Sequence, residues 1–553
     1  MKKLEQLQEQ VLQVPSITEG LLADGAEDAL LKDIELFKNN VNEAREIKIP
    51  FVGIFNAGKS SMLNALMGRD ILPVDNEPTT AICAELRGDK NERIELYREG
   101  SLIGEYAIDR MGVVDTEPGD VAHVFVNNEF ISSLTERGIV LVDMPGIDSG
   151  IEQHNKAIAN YLCNGTLFVM LLSANAGSLP RSSGYFMREL RAYGLNPPVI
   201  LTKSELFPAE NNEKVCKQIK NDLELLGFEN PIVKIASART DCSALADYLN
   251  QINAEDLAIT RVRNLAKSIV NSTMGYINDS IRLQKLGLDN ATAQVNELKE
   301  KVAELLANAE NGNETETRQT PAESTQDIMI AINTLLANHS NELTILIKAR
   351  EGVDTIQAWL LSLVRPELSR LINKENEQYI NALDEELSTI LGNLVDAVVI
   401  KDWVSDFVSV SAQYIEQLPE DYQELAREIL ELLPAIISIV EGVVNWFREV
   451  FGGQNQDDLI KDRIERELIQ PFLAQLEPKV LAVVTDNQKR IDDYVQSMVT
   501  SRLNQAQKTL EDMQTQAEQD VSEREASLAL LDTALGKLTI LAEHIKNECY
   551  TEN

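Results

Sequence analysis

A chain of 553 residues is too long for one hydrophobic core, since single cores stop growing near ~250–300 residues, so more than one domain is expected. Its formal net charge of −37 excludes a nucleic-acid binder, whose affinity comes from neutralising phosphates, and works against anionic lipid headgroups. The five cysteines and four scattered histidines lack disulfide or metal-ligand spacing, and the first ten residues contain no apolar run of a signal peptide, so a reducing cytoplasm is the expected location.

Residues 1–46 read as helical with a break around Pro15 to Gly25; Leu30, Leu31, Ile34, Phe37 and Val41 fall at helical spacing. Residues 47–250 alternate strand and helix signals. Ile47–Phe55, Gly138–Met144, Thr166–Leu172 and Pro198–Leu201 are short apolar runs, as parallel strands covered on both faces require. Arg93–Tyr97 and Val121–Val126 alternate instead, which suggests an antiparallel edge. The expectation is a doubly wound, mostly parallel α/β domain with its ligand at the C-terminal strand ends.

Beyond about residue 255 the strand signal ends. Ile259–Ala307, Ser324–Arg350 and Leu360–Leu391 read as helices, and the polar stretch 308–326 as a loop or hinge. Residues 251–391 are therefore expected to form a helical neck and trunk, 392–453 a helical tip, and 454–553 the returning helices. From Lys479 to Glu552 there is no proline and a single glycine, Gly536; one uninterrupted helix there would span roughly 100 Å. The helices at 1–46 and 480–550 are expected to pack with 255–350 as one elongated bundle.

The densest chemistry is the string Gly53-Ile-Phe-Asn-Ala-Gly-Lys-Ser-Ser61, between an apolar run and a helical one. Its G-x-x-x-x-G-K-S spacing is a phosphate cradle lined by Gly53, Asn56, Ala57, Gly58, Lys59, Ser60 and Ser61. Lys59 reaches the β- and γ-phosphates, the Ser60 hydroxyl is placed to ligate Mg2+, and the following helix aims its positive end at the anion. Such a loop serves ATPases and GTPases alike, so the downstream elements decide. Asp143-Met-Pro-Gly146 ends a strand: the aspartate can hold Mg2+ through water and the Gly146 N–H can meet the γ-phosphate. Thr79 and Thr80 lie in a turn-rich segment that can close on Mg2+, with Thr80 favoured. Thr202-Lys-Ser-Glu205 follows a strand and fits base reading: the Lys203 stem lies across a purine and Glu205 accepts from guanine N1–H and the exocyclic amine. Ser237 and Ala238 would bring a backbone N–H near guanine O6.

Together the strings G-I-F-N-A-G-K-S-S (53–61), L-P-V-D-N-E-P-T-T-A (72–81), D-M-P-G-I-D-S (143–149) and T-K-S-E (202–205) resemble the dynamin superfamily of large GTPases, bacterial dynamin-like proteins and mitofusins above all. The resemblance covers about residues 47–240. It implies a P-loop GTPase domain on an elongated α-helical neck and trunk with a helical tip, GTP or GDP bound with Mg2+, G-domain homodimers, and Lys59, Asn56 and Thr80 acting in hydrolysis. Two departures matter. Where eukaryotic dynamins place Gln-Ser before the Ala-Gly-Lys, this chain has Phe55 and Asn56, so an amide stands in place of the cation-ordering serine hydroxyl. Where Ras-type GTPases place glutamine after D-x-x-G, Ile147 stands and cannot orient water. Slow basal turnover, rising with protein concentration, is expected.

The family's trunk often ends in a lipid-binding paddle. Residues 392–453 carry Trp403, Trp446 and two apolar clusters, Leu394–Ile400 and Leu432–Phe447, but their charge-free pieces are far shorter than the ~20 residues a bilayer span needs. Acidic residues dominate, whereas interfacial helices carry basic polar faces. Three readings stand for this tip: packed core, lipid contact at the periphery of a membrane, and a protein-binding surface.

Overall fold

The computed structural model describes residues 1–74, 82–98, 100–117, 119–147, 161, 167–310, 318–349, 353–391, 457–517 and 521–547. The expectations for Thr79, Thr80 and the tip 392–453 lie outside these residues.

Nine strands among the described residues form one sheet: β1 (Ile47–Val52), β2 (Cys83–Gly88), β3 (Arg93–Arg98), β4 (Ser101–Tyr106), β5 (Val121–Val126), β6 (Ile139–Asp143), β7 (Val169–Ser173), β8 (Val199–Thr202) and β9 (Val233–Ile235). Their order is β4-β3-β5-β2-β6-β1-β7-β8-β9. From β6 to β9 every pairing is parallel. β2 turns antiparallel to β6 but pairs parallel with β5, and β3 is antiparallel to both β5 and β4. The central strands bury both faces, as their unbroken apolar runs require. On one face Ile47, Ile49 and Phe51 of β1 pack with Met62, Leu63, Leu245 and Leu249. On the other, Val52, Val142 and Leu172 pack with Phe186, Leu190 and Ile219. This is the doubly wound architecture, with an added wing whose β5 buries every second residue.

Helices from both chain ends build the neck. Lys2–Leu12, Asp24–Ala44 and Val521–Asn547 share an apolar core with Ala254–Leu286, including Leu4, Phe37, Ile269, Ile277 and Leu538. Gly287 separates that helix from Leu288–Glu310. Past this break a second core joins Val295 and Val302 to Ile380, Ile491 and Val499. A third joins Ile328, Leu343, Trp359, Val364, Phe472 and Leu476.

One helical expectation is corrected. The polar stretch 308–326 is not all loop: one helix runs to Glu310, and another starts at Pro321. Thr320 and Glu323 form a reciprocal capping box there, and Pro321 in the first turn sacrifices no needed donor. The returning segment is helical as expected, in two described helices. The helix Gln470–Ala517 ends, and Val521–Asn547 packs back on Ala254–Leu286, because Leu531, Leu538 and Ile545 need an apolar partner.

Candidate nucleotide-binding site

β1 delivers the chain to the C-terminal edge of the sheet, where it must curl at once. Gly53 has no room for a side chain: a Cβ there would sit 2.5 Å from the Leu171 carbonyl oxygen of β7. Gly58 holds φ +93° and starts the helix Lys59–Met67, a conformation that favours glycine. Asn56 also takes a left-handed φ of +60°, which asparagine tolerates better than most residues. The loop therefore wraps with the helix N-terminus behind it, an anion-binding geometry.

Among the described residues Lys59, Ser60 and Asp143 lie together here. Lys59 is buried, and its Nζ donates to the carbonyls of Gly53 at 3.2 Å and Ile54 at 3.3 Å, so the ammonium lies over the loop. Ser60 Oγ donates to Asp143 Oδ2 at 2.5 Å, joining the loop to the end of β6. Asp143 Oδ1 is shut off from solvent with no hydrogen-bond partner. Burial pushes this carboxyl up to about 6, against the opposing pull of the Ser60 hydroxyl and the Lys59 charge. A hydroxyl and a carboxylate in contact, with a buried oxygen lacking a partner, is an oxygen donor set that suits Mg2+. Gly146 is buried, and beside it Ile147 N–H donates to the Gly53 carbonyl at 3.2 Å.

On the base side the structure redistributes roles. Thr202, read as the first residue of a base-reading string, is buried at the end of β8. Its hydroxyl lies 2.5 Å from the Ala57 carbonyl and 3.2 Å from that of Leu172, so it ties the phosphate loop to the sheet. Lys203 takes φ +55°, an uncommon left-handed conformation for a lysine that structures keep mostly where function needs it. Glu205 Oε2 accepts from Ser237 Oγ at 2.7 Å. Ser237 Oγ in turn accepts from the N–H groups of Arg239 and Thr240, both at 3.1 Å, so its proton points to Glu205. The Ser237 N–H itself donates to the Asp241 carbonyl at 2.7 Å. The Ser237 N–H is thus engaged within this turn.

One contributor escaped the sequence reading. Asn64, one turn beyond Ser60 on the same helix, is buried. It accepts from the N–H groups of Ile71 and Leu72 and donates to the Leu72 carbonyl, fixing the chain just before the threonine-bearing segment. The N-A-L context alone gave no sign of this.

Residues 49–204 match the dynamin family. Members of this family are GTPases, and the matched residues take in the phosphate loop, Asp143 and the strands from β1 to β8. The chain is 22% identical over 444 residues to Dynamin-like protein 1 of Campylobacter jejuni, covering 71% of this chain and 59% of that protein. It is 24% identical over 238 residues to the Probable transmembrane GTPase FZO-like, chloroplastic, of Arabidopsis thaliana, covering 42% and 23%. It is 25% identical over 242 residues to Dynamin-like protein A of Bacillus subtilis, covering 40% and 20%. The matches thus span less than two thirds of each relative. Among solved structures, a chain of an oligomerised bacterial dynamin pair, described as sensing and tethering membranes, aligns over 98% of this chain and 95% of its own at 15% identity and a TM-score of 0.33. No helix among the described residues is long and apolar enough to cross a membrane.

Proposed function

We propose that this protein binds GTP in the dynamin-family domain, hydrolyses it with Mg2+, and couples G-domain dimerisation to rearrangement of the helical stalk in membrane remodelling or vesicle-associated secretion. The observation that carries the reading is the 2.5 Å contact between Ser60 and Asp143 beneath the Lys59 ammonium. It brings a phosphate-loop hydroxyl and a strand-end carboxylate together, as GTPases require. Lys59 would neutralise charge on the phosphate oxygens, Ser60 and Asp143 would hold Mg2+, and Glu205, oriented by Ser237, would accept from guanine. The bound Mg2+ would neutralise charge on the β- and γ-oxygens. Thr80 and Asn56 complete the set proposed for hydrolysis. Turnover would be slow in isolated protein, because Ile147 offers no group to orient water. The protein would act in the cytoplasm or at the periphery of a membrane. In its narrowest form the reading makes the chain the dynamin-like member of a labile-enterotoxin output system, which rests on the motif strings alone.

A second reading is a nucleotide-gated helical scaffold with weak or no GTPase activity, working through protein partners. Asn56 and Glu205 favour it, since Asn56 stands where eukaryotic dynamins have the cation-ordering serine and Glu205 where the usual acid is aspartate. GTP turnover measured against protein concentration, with and without lipid vesicles, beside Lys59→Ala, separates the two. Turnover that rises with concentration and vanishes in the variant supports the enzyme. Indistinguishable wild type and variant throughout, with nucleotide still bound by wild type, supports the scaffold.

A further inference from the structure

Among the described residues the nucleotide domain meets the helical part at the neck and at a second, larger contact. At the neck the chain runs straight from Ser243–Gln251 into Ala254–Leu286. The other joins residues far apart in sequence. The helix Arg181–Ala192 leaves the sheet after β7 and lies against the trunk helix Val353–Leu391. At its centre Glu189 and Arg365 form a buried ion pair: Nη2 donates to Oε2 at 2.8 Å and Nε lies 2.8 Å from Oε1, with the side chains 2% and 7% exposed. One residue earlier, Arg188 Nη2 donates to Ser362 Oγ at 2.9 Å, and its Nη1 lies 3.4 Å from Glu342 Oε2. Glu342 also accepts from Trp359 Nε1 at 2.9 Å, and Tyr185 packs against the trunk core. Tyr185, Arg188 and Glu189 share one helical face, as do Trp359, Ser362 and Arg365 on the other side.

Three features distinguish this contact from a permanent core. A buried ion pair is poor glue, since desolvating both charges offsets most of their attraction. Here it is also incompletely satisfied: Arg365 Nε and Nη1 and Glu189 Oε1 are buried with no hydrogen-bond partner. The trunk helix is weakened at the same turn, because Pro366 has no N–H to give the Ser362 carbonyl. Finally, the helix carrying Glu189 hangs from β7, and β7 walls the phosphate loop. Its Leu171 carbonyl closes on Gly53, and its Leu172 carbonyl shares the Thr202 hydroxyl with Ala57.

On top of the nucleotide-binding reading above, we propose that this interface is a latch. It holds the trunk against the nucleotide domain, and nucleotide at the phosphate loop, acting through β7 and the helix Arg181–Ala192, opens it and frees the trunk. A displacement at the loop needs only to misalign two charges that cannot remain buried apart. The interface then parts as a unit instead of yielding gradually.

Amide hydrogen exchange on the full chain tests this. Arg365→Glu and Glu189→Arg each place like charges face to face. Each should speed exchange roughly tenfold or more in both 181–192 and 356–371 together, while β1 and β7 stay protected. The charge-swapped double variant, Glu189→Arg with Arg365→Glu, should restore protection on both faces. Faster exchange on one helix alone overturns the latch, as does a loss of protection that the double variant leaves in place. If the single variants do not fold, Arg365→Gln takes their place beside the double variant. In wild type, a non-hydrolysable GTP analogue with Mg2+ should deprotect the same two segments. If the analogue raises the melting temperature of wild type but not of Lys59→Ala, and both segments remain protected, the contact is static and the proposal fails. If the analogue binds nowhere, the nucleotide reading and its coupling fail together, and the charge-swap result still decides the contact itself.

Discussion

Thr202→Val tests what this threonine does. The substitution is nearly isosteric, so it opens no cavity, and it deletes one hydroxyl that serves the Ala57 carbonyl at 2.5 Å and the Leu172 carbonyl at 3.2 Å. Losing a donor to buried acceptors costs about 1–3 kcal/mol of stability. Nucleotide feels it as well. Ala57 precedes Gly58 and Lys59, whose N–H groups open the anion-binding helix, and an untethered loop must be ordered by the ligand. An ordering cost of about 1.4–2.8 kcal/mol weakens affinity roughly tenfold to a hundredfold. Because the tether acts on the phosphate loop and not on the base, affinities for GTP, GDP and ATP should fall by the same factor. Titration with fluorescent analogues of all three, alongside melting temperatures, measures this. Thr202→Ser keeps the hydroxyl and should bind like wild type. If Thr202→Val instead changes the GTP-to-ATP preference, Thr202 reads the base and the tether argument is wrong. If it melts lower but binds nucleotide as wild type does, the loop does not need the tether.

Three further outcomes follow from named contacts. Gly53→Ala forces a methyl to within 2.5 Å of the Leu171 carbonyl, so β1 and β7 must part at the loop; nucleotide binding should be abolished and the melting temperature lowered. Asp279→Ala should destabilise the neck by about 3–5 kcal/mol in urea unfolding, since it strands the buried Arg502 guanidinium, 2.8 Å away and 4.8 Å from the Tyr276 ring; Asp279→Leu with Arg502→Met should recover most of the loss. Burial, opposed by Lys32, pushes the half-buried Asp33 carboxyl from its ordinary 3.8 up to about 6. The folded state then holds the extra proton between those values, so stability falls as pH rises through that window. Asp33→Asn should therefore gain about 1–2 kcal/mol at pH 8, after discounting for its remaining exposure, and almost nothing at pH 4. Equal gains at both values would refute the assignment.

The parts of the fold that could be read in advance are those whose physics is local. β1, β6, β7 and β8 are buried on both faces and so appear as apolar runs, and the phosphate loop needs only its own spacing of glycines, lysine and serine. β2 was hidden because Glu85 and Arg87 interrupt it. They are buried nonetheless: Glu85 takes Arg87 of its own strand at 2.7 Å, and from other segments Lys48 at 2.6 Å and the Tyr161 hydroxyl at 2.7 Å, donors that no reading of β2 alone supplies.

The site divides the same way. Lys59, Ser60 and Asp143 were legible because strand-end aspartates and loop lysines have few other uses at that spacing. The Thr202 tether joins residues 145 apart and exists only because β7 lies between β1 and β8, a strand order that adjacent residues do not encode. Ser237 looked like a backbone donor, but its N–H goes to Asp241 and its side chain holds Glu205, a choice made by the turn after β9. Glu189 and Arg365 carry this furthest. By itself each reads as a solvated charge, since acidic and basic residues are almost never fully buried unless paired. Pairing across 176 residues is what removes both from water, so neither member announces itself and the contact becomes visible only when the trunk is laid against the nucleotide domain.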